Sequence, residues 1–363
     1  MGKKVIMAGG GTGGHIFPAI AIANALRELD EGIEILFVGA KGKMEMEKVP
    51  QAGYNIKGLD IAGYNRSSLI KNIALPYKLA KSFFQVRTIF SEFRPDAAIG
   101  VGGYSSFPVL RYAQQQGIPT FIHESNSYAG RSNKVLAKKA RRVFVASAGM
   151  EQFFPAGKIL LSGNPVRAAI AHSQISREQG ILFYGLDPQK KTVLSIGGSL
   201  GAVSINEAVA AHLDLLMEND LQLLWQTGKP YALQGKQQAQ GKENIYVSDF
   251  ITQMEYAYAA ADVVISRAGA MAIAELCVMK KPAVLVPYPF AAEDHQTVNA
   301  MHLVKNGAGI LIKDNEAKDK LVPAVVDLVK DSAKLLELEE KIGQMAFVDA
   351  DKRVAAEVLK EIA

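Results

Sequence analysis

The sequence predicts an α/β protein of two Rossmann-like, doubly wound domains, and three features carry that expectation. Short β-branched runs alternate with longer helical stretches along most of the chain, the pattern of parallel βαβ units covered on both sheet faces. A strand, a glycine-rich turn and a helix open each half, as VIMAGGGTGGH and again as VLSIGGSLGA, so one architecture is used twice. Between the halves, Gly163-Asn164-Pro165 breaks the pattern and marks a boundary. A chain of 363 residues, 49% hydrophobic, has enough apolar material for two cores. The expected domains are 1–166 and 167–346, with a C-terminal helix at about 347–363 packing back on the first.

In order, the strands of the first half are KKVIMAG, IEILFVG, AAIGVGG, IPTFIHE and RRVFVAS. Those of the second are KTVLSIGG, LQLLWQTG, ENIYVSDF, ADVVISRAG, KPAVLVPYP and GAGILIKD, followed from about Glu316 by polar amphipathic helix. No apolar run is long enough to predict a transmembrane helix. The single cysteine, Cys277, excludes an internal disulfide and fits a reducing cytoplasm. No signal-peptide pattern precedes the first strand. Charge is uneven: residues 1–166 hold 21 Lys and Arg against 11 Asp and Glu, a net +10, whereas residues 167–363 hold 20 against 25, a net −5. Such a split implies an anionic partner for the first half, with solvated surface as the plain alternative.

Gly9, Gly11 and Gly14 satisfy G-x-G-x-x-G, a weak signal alone. A nicotinamide enzyme also needs an acid at the end of its second strand, and FVGAKGK offers none, which counts against an oxidoreductase. His15 stands where a nucleoside-triphosphatase loop carries lysine. At the first turn of a helix the dipole favours its neutral form, so it is either a capping or packing histidine or a general base beside a bound anion. GVGGYSSFP repeats the turn, offering the amides of Gly102, Gly103 and Tyr104 and the hydroxyls of Ser105 and Ser106. HESNSYAGRSNK supplies His123, Glu124, Asn126 and Asn133, either sugar-orienting groups or turn chemistry.

In the second half GGSLGA sets Gly197, Gly198 and Ser199 at another helix start. Glu275 is a lone carboxylate in the apolar helix after RAGA, costly to bury unless hydroxyls such as those of a ribose satisfy it. His295 and Gln296 adjoin at the next helix start and are not explained by its acidic residues. No H-x-x-x-H spacing occurs and the one D-x-D (Asp349, Asp351) reads as surface, so metal chemistry is not expected, and neither is triad chemistry.

GGGTGGHIFPA, GVGGYSSFP, HESNSYAG, GNPVR, GGSLGA, RAGAMAIAEL and DHQTVNA, in this order, closely resemble the MurG family of glycosyltransferases. The resemblance covers essentially the whole chain. It implies the GT-B fold, two Rossmann-like domains facing a cleft. The implied activity is transfer of N-acetylglucosamine, with inversion, from UDP-N-acetylglucosamine to undecaprenyl-diphosphoryl-MurNAc-pentapeptide, converting lipid I to lipid II in peptidoglycan synthesis. No cofactor, metal or nucleic acid is implied. By motif, Glu275 takes the ribose, Ser199 and Arg167 lie by the donor, Ile251 reads the uracil edge, Ala270 and Met271 line the donor site, and Gln296 meets sugar hydroxyls. His295 replaces a second glutamine common in the family. Thr12, Gly13, Gly14 and Asn126 approach the transferred sugar. Gly102, Gly103, Tyr104 and Asn133 are implied on the acceptor side, where the two N-terminal turns hold its diphosphate, and His15 is the base.

The family also implies a peripheral place on the cytoplasmic face of the inner membrane, beside other cell-wall synthesis proteins. Residues 64–87 fit, since Ile73, Leu75, Leu79 and Phe83 alternate with Lys71, Lys78, Lys81 and Arg87, and KKARR at 138–142 adds charge. An ordinary sheet-covering helix is the alternative. Two other activities compete: another GT-B transferase acting on a lipid acceptor such as diacylglycerol, and a non-catalytic nucleotide-sugar binder.

Overall fold

The computed structural model describes residues 2–63, 75–198 and 200–363. Two compact units emerge, Met1–Arg167 with Asp349–Ala363, and Ala168–Val348.

The first unit begins β1 (Lys4–Ala8), α1 (Gly13–Leu29), β2 (Glu34–Ala40), α2 (Glu45–Gln51) and β3 (Asn55–Leu59). It continues α3 (Leu75–Phe93), β4 (Ala97–Gly100), α4 (Ser106–Gln115), β5 (Thr120–Glu124), α5 (Arg131–Ala137), β6 (Arg142–Val145) and β7 (Ile159–Leu161). These seven strands are parallel in the order β3-β2-β1-β4-β5-β6-β7. Strand periodicity splits the sheet's apolar residues into two layers. Val5, Met7, Ile35 and Phe37 pack with Ile16, Ile22 and Leu26 of α1. Ile6, Ala8, Leu36 and Val38 pack with Val86 and Phe90 of α3 and Val109 and Leu110 of α4. Burial on both faces is why these strands read as continuous apolar runs.

The second unit holds α6 (Ala168–Ala171), α7 (Arg177–Phe183), β8 (Lys191–Ile196), α8 (Val203–Ala211), α9 (Leu213–Glu218) and β9 (Leu221–Gln226). Then come α10 (Ala232–Gln238), β10 (Ile245–Ser248), α11 (Met254–Ala260), β11 (Val263–Ser266), α12 (Ala270–Val278) and β12 (Ala283–Leu285). It ends with α13 (His295–Lys305), β13 (Ile310–Leu311), α14 (Ala317–Lys330) and α15 (Ser332–Gln344). Its six-stranded parallel sheet runs β10-β9-β8-β11-β12-β13. Val193, Leu223, Trp225 and Ile265 meet Ile205 and Val209 of α8 and Leu321 and Val325 of α14. The buried Trp225 indole donates to Asn206 Oδ1 at 2.9 Å, which removes the cost of hiding its N–H.

The last helix, α16 (Ala350–Glu361), belongs to the first unit, where Val354, Ala355 and Val358 share the core layer of α1. This helix also meets part of KKARR. Arg142 of KKARR is ion-paired to Glu357 at 2.9 Å and Glu361 at 2.8 Å, and Arg141 lies 3.5 Å from Glu361. Arg142 thereby fastens the chain's end, while the Arg141 side chain stays 61% exposed.

Candidate active site

The glycine turn between β1 and α1 is defined by where its amides point. Gly9 N–H donates to Val38 O at 3.3 Å, Gly10 N–H to Gly102 O at 3.3 Å, and Gly11 N–H to Glu45 Oε2 at 2.9 Å. Those three donors serve the protein's own groups, because buried amides must be paired. The expectation that the whole turn cradles a diphosphate is corrected here. The donors left for an anion are those of α1's first turn, at Gly13 and Gly14, which the helix cannot use itself. Thr12 is the N-cap residue, in extended conformation and with no hydrogen bond from its side chain to the helix amides.

His15 follows from that start. Its Nδ1 lies 3.1 Å from Gly10 O and 3.3 Å from Thr12 Oγ1. A carbonyl only accepts, so Nδ1 carries a hydrogen, and the basic atom of the neutral form of such a ring is Nε2. The ring lies along Gly102, where a Cβ would come within 2.7 Å of its Cδ2 and 2.8 Å of its Nε2. Gly102 therefore makes room for the histidine.

In the second turn Gly103 (φ +86°) passes so close to Gly10 that a Cβ would overlap the Gly10 carbonyl. Tyr104 is half exposed, its ring against Gly63. The two serines do not offer hydroxyls to a ligand. Ser106 Oγ is within 2.8 Å of both Ala8 O and Gly102 O, and Ser105 is buried. Both stay inside because α4 begins against the sheet edge there.

After β5, Glu124 is a hub. Its Oε1 accepts from Asn126 N–H at 3.1 Å and Asn126 Nδ2 at 3.4 Å, and its Oε2 from Gly130 N–H and Asn133 Nδ2, both at 2.9 Å. Asn133, buried, spends that amide on Glu124 and shapes the loop, a correction to its expected place on the acceptor. Neighbouring His123 is wholly buried with Nε2 3.1 Å from Gly163 O, and burial pushes its pKa down to about 4. The unfolded chain then binds the extra proton, so stability falls as pH drops from about 6.5 towards 4, by up to about 3 kcal/mol. Urea unfolding midpoints across that window should show the slope, and His123→Gln should flatten it. Arg167 closes the first unit, its guanidinium 5.9 Å from the Phe17 ring.

In the second unit, the turn after β8 carries Gly197 and Gly198 to the start of α8, while Ser199 lies outside the described residues. Gln226, not anticipated from sequence, bridges this turn to the loop after β10. Its Nε2 donates to Gly198 O at 3.0 Å and its Oε1 accepts from Ile251 N–H at 3.0 Å. The expected base-reading edge of Ile251 is thereby reduced to its carbonyl. Ala270 and Met271 form the first turn of α12, half-buried. Five residues past Ala270, the buried Glu275 accepts at Oε2 from Tyr258 Oη at 3.0 Å. A tyrosine on α11 thus supplies a hydroxyl to this lone carboxylate of an apolar helix.

Arg267 is internal hardware: it donates to Val286 O at 3.1 Å, to Ser204 Oγ at 2.9 Å and to Asp314. Before α13, Glu293 and Asp294 both hold positive φ, +57° and +51°, so the chain turns left-handedly into the helix instead of merely placing acids at its start. Gln296 Oε1 accepts from Tyr288 N–H at 2.9 Å, and His295 Nδ1 donates to Ala292 O at 2.6 Å. Burial holds the Cys277 thiol up at about 12, far from reactivity.

Residues 5–145 match the glycosyltransferase family 28 N-terminal domain and residues 192–354 the glycosyltransferase family 28 C-terminal domain. The chain belongs to glycosyltransferase family 28, with two Rossmann-like domains of the GT-B fold. It is 52% identical over 361 residues, 98% of this chain and 95% of the relative, to UDP-N-acetylglucosamine–N-acetylmuramyl-(pentapeptide) pyrophosphoryl-undecaprenol N-acetylglucosamine transferase of Bacteroides fragilis. The enzyme of that name from Flavobacterium psychrophilum is 46% identical over 357 residues, 98% of this chain and 97% of its own. Among solved structures, Acinetobacter baumannii MurG matches with a TM-score of 0.81 and 31% identity over 99% of each chain. UDP-GlcNAc 2-epimerase from Neisseria meningitidis shares the fold alone, at TM-score 0.70 and 13% identity over 99% of this chain and 100% of its own.

Proposed function

We propose that this glycosyltransferase converts lipid I to lipid II, moving N-acetylglucosamine from UDP-N-acetylglucosamine to the MurNAc 4-hydroxyl of undecaprenyl-diphosphoryl-MurNAc-pentapeptide. Whole-length identity to transferases of that name supports the reaction, and the orientation of His15 carries the mechanism. The acceptor oxygen attacks the anomeric carbon from the face opposite the phosphate. The bond from that carbon to the phosphate oxygen breaks with its electron pair on UDP, and the hydroxyl proton goes to His15 Nε2. Amides at the start of α8 meet the charge gathering on UDP, while Ser199, given to the donor by motif, lies outside the described residues.

Glu275 takes the ribose hydroxyls, the Ile251 carbonyl accepts from the uracil edge, and Gln296 Nε2 donates to a sugar hydroxyl, with Ala270, Met271 and Arg167 completing the donor side. Thr12, Gly13, Gly14 and Asn126 meet the transferred sugar, and Gly102, Gly103 and Tyr104 the acceptor. The decisive assay is UDP release from UDP-N-acetylglucosamine with and without a short-chain lipid I analogue. Acceptor-dependent release with a disaccharide product is expected, and release driven instead by diacylglycerol would replace the acceptor.

The acceptor's lipid tail calls for work at a membrane, and no described helix is long and apolar enough to cross one. On α3, Tyr77 and Phe84 are 71% and 70% exposed one heptad apart, flanked by exposed Lys78, Lys81 and Arg87, whereas Phe83 is half-buried. Lys71 and Ile73 lie outside the described residues. Two exposed aromatics on one helix face with basic neighbours suit an anionic interface, and the reading sets this face on the cytoplasmic surface of the inner membrane. Replacing Tyr77 and Phe84 together by serine should weaken binding to anionic vesicles by about tenfold or more. Turnover of a water-soluble acceptor should stay unchanged, and equal vesicle binding would remove α3 from the interface.

A further inference from the structure

We infer that Glu45 is a positioning residue for the base, acting on His15 through one peptide group of the glycine turn. The inference rests on the proposed function, since it concerns how the proposed base is held. The peptide joining Gly10 to Gly11 is hydrogen-bonded at both ends. Its carbonyl accepts from His15 Nδ1 at 3.1 Å, and its N–H donates to Glu45 Oε2 at 2.9 Å. The other carboxylate oxygen accepts from Ala40 N–H at 2.9 Å, which ties the arrangement to the end of β2.

Glu45 is 0% exposed, and burying a carboxylate is costly unless hydrogen bonds replace its water. Two backbone positions are shaped around it: a Cβ on Gly10 (φ +150°) or on Gly39 would overlap the Glu45 side chain. A neutral side chain would cap an amide at lower cost. A charge adds polarisation: bonds to ionised acceptors are roughly twice as strong as neutral ones, and a peptide pulled at its N–H becomes a better acceptor at its carbonyl. The imidazole is thereby held with its hydrogen on Nδ1, so that a proton taken up goes to Nε2. The same bond removes the Gly11 amide from the anion-binding set, so Glu45 fits the turn to proton transfer and not to phosphate.

The test is a double-mutant cycle on the full chain, with UDP release as readout. Glu45→Gln keeps the volume and one accepting oxygen. It is expected to lower kcat by about tenfold to a hundredfold, the usual cost of losing a ring-orienting partner, with both KM values unchanged. In the His15→Ala background the same substitution should cost nothing further, because the group it orients is gone. An equal loss in both backgrounds, or no loss in either, overturns the relay while leaving the base in place. Full turnover by His15→Ala alone removes the base itself. Imidazole ¹⁵N spectra of the unaltered enzyme need no folded variant: His15 with hydrogen on Nδ1 is expected, and hydrogen on Nε2 overturns the inference.

Discussion

His15→Ala is expected to lower kcat by roughly two to four orders of magnitude, the range general-base catalysis supplies. The donor KM should hold, because the substitution touches no group assigned to the nucleotide. With Nδ1 at 3.1 Å from Gly10 O and the ring along Gly102, the proposed proton-accepting atom is Nε2. A packing histidine in that place would behave differently on substitution: Tm would fall and kcat per folded molecule would not. Single-turnover rates with a short-chain lipid I analogue, beside UDP binding by calorimetry and a thermal melt, separate the two. Retained chemistry with a lowered Tm would mean that His15 is structural and that another group takes the proton.

The fold was legible for a physical reason. Parallel strands covered on both faces have apolar residues on both, so β1, β4, β8 and β11 stand out as unbroken runs without knowledge of their neighbours. The glycine turns were legible too, and with them the place of His15, because turn and helix start are local. What sequence hid was every interaction that crosses it. Glu45 lies 34 residues from Gly11, and its one signal was a glutamate near the end of a glycine-bearing strand. Tyr258 is 17 residues from Glu275 on a different helix, and Arg142 is 215 from Glu357. Asn133 and the two serines were misread because a short polar side chain in a loop looks the same whether it faces a ligand or its own backbone.

A shared logic links the corrected residues. Glu124 holds Asn126 by two bonds, Gln226 ties Gly198 to Ile251, and Tyr258 braces Glu275. Each is a buried or nearly buried polar group whose partners are groups expected near substrate. Such supports fix geometry before the ligand arrives, which is how a site limits the reorganisation its reaction requires.

Glu275 provides the other large expected effect. Glu275→Ala should weaken UDP binding by about a hundredfold or more, since hydrogen bonds to a charged acceptor contribute about 1.5–3 kcal/mol each and a ribose offers two hydroxyls. Alanine also takes away the Tyr258 bond in a buried place, so its Tm should fall. Glu275→Gln isolates the recognition: the amide oxygen still accepts from Tyr258, while the charge is gone. The discriminating ligand is 2′-deoxy-UDP. The unaltered enzyme should prefer UDP over it by roughly tenfold or more, and Glu275→Gln should bind the two nearly alike. If the variant kept the preference and lost only Tm, Tyr258 would be the whole purpose of this carboxylate, and the ribose would have to be read elsewhere on the second unit.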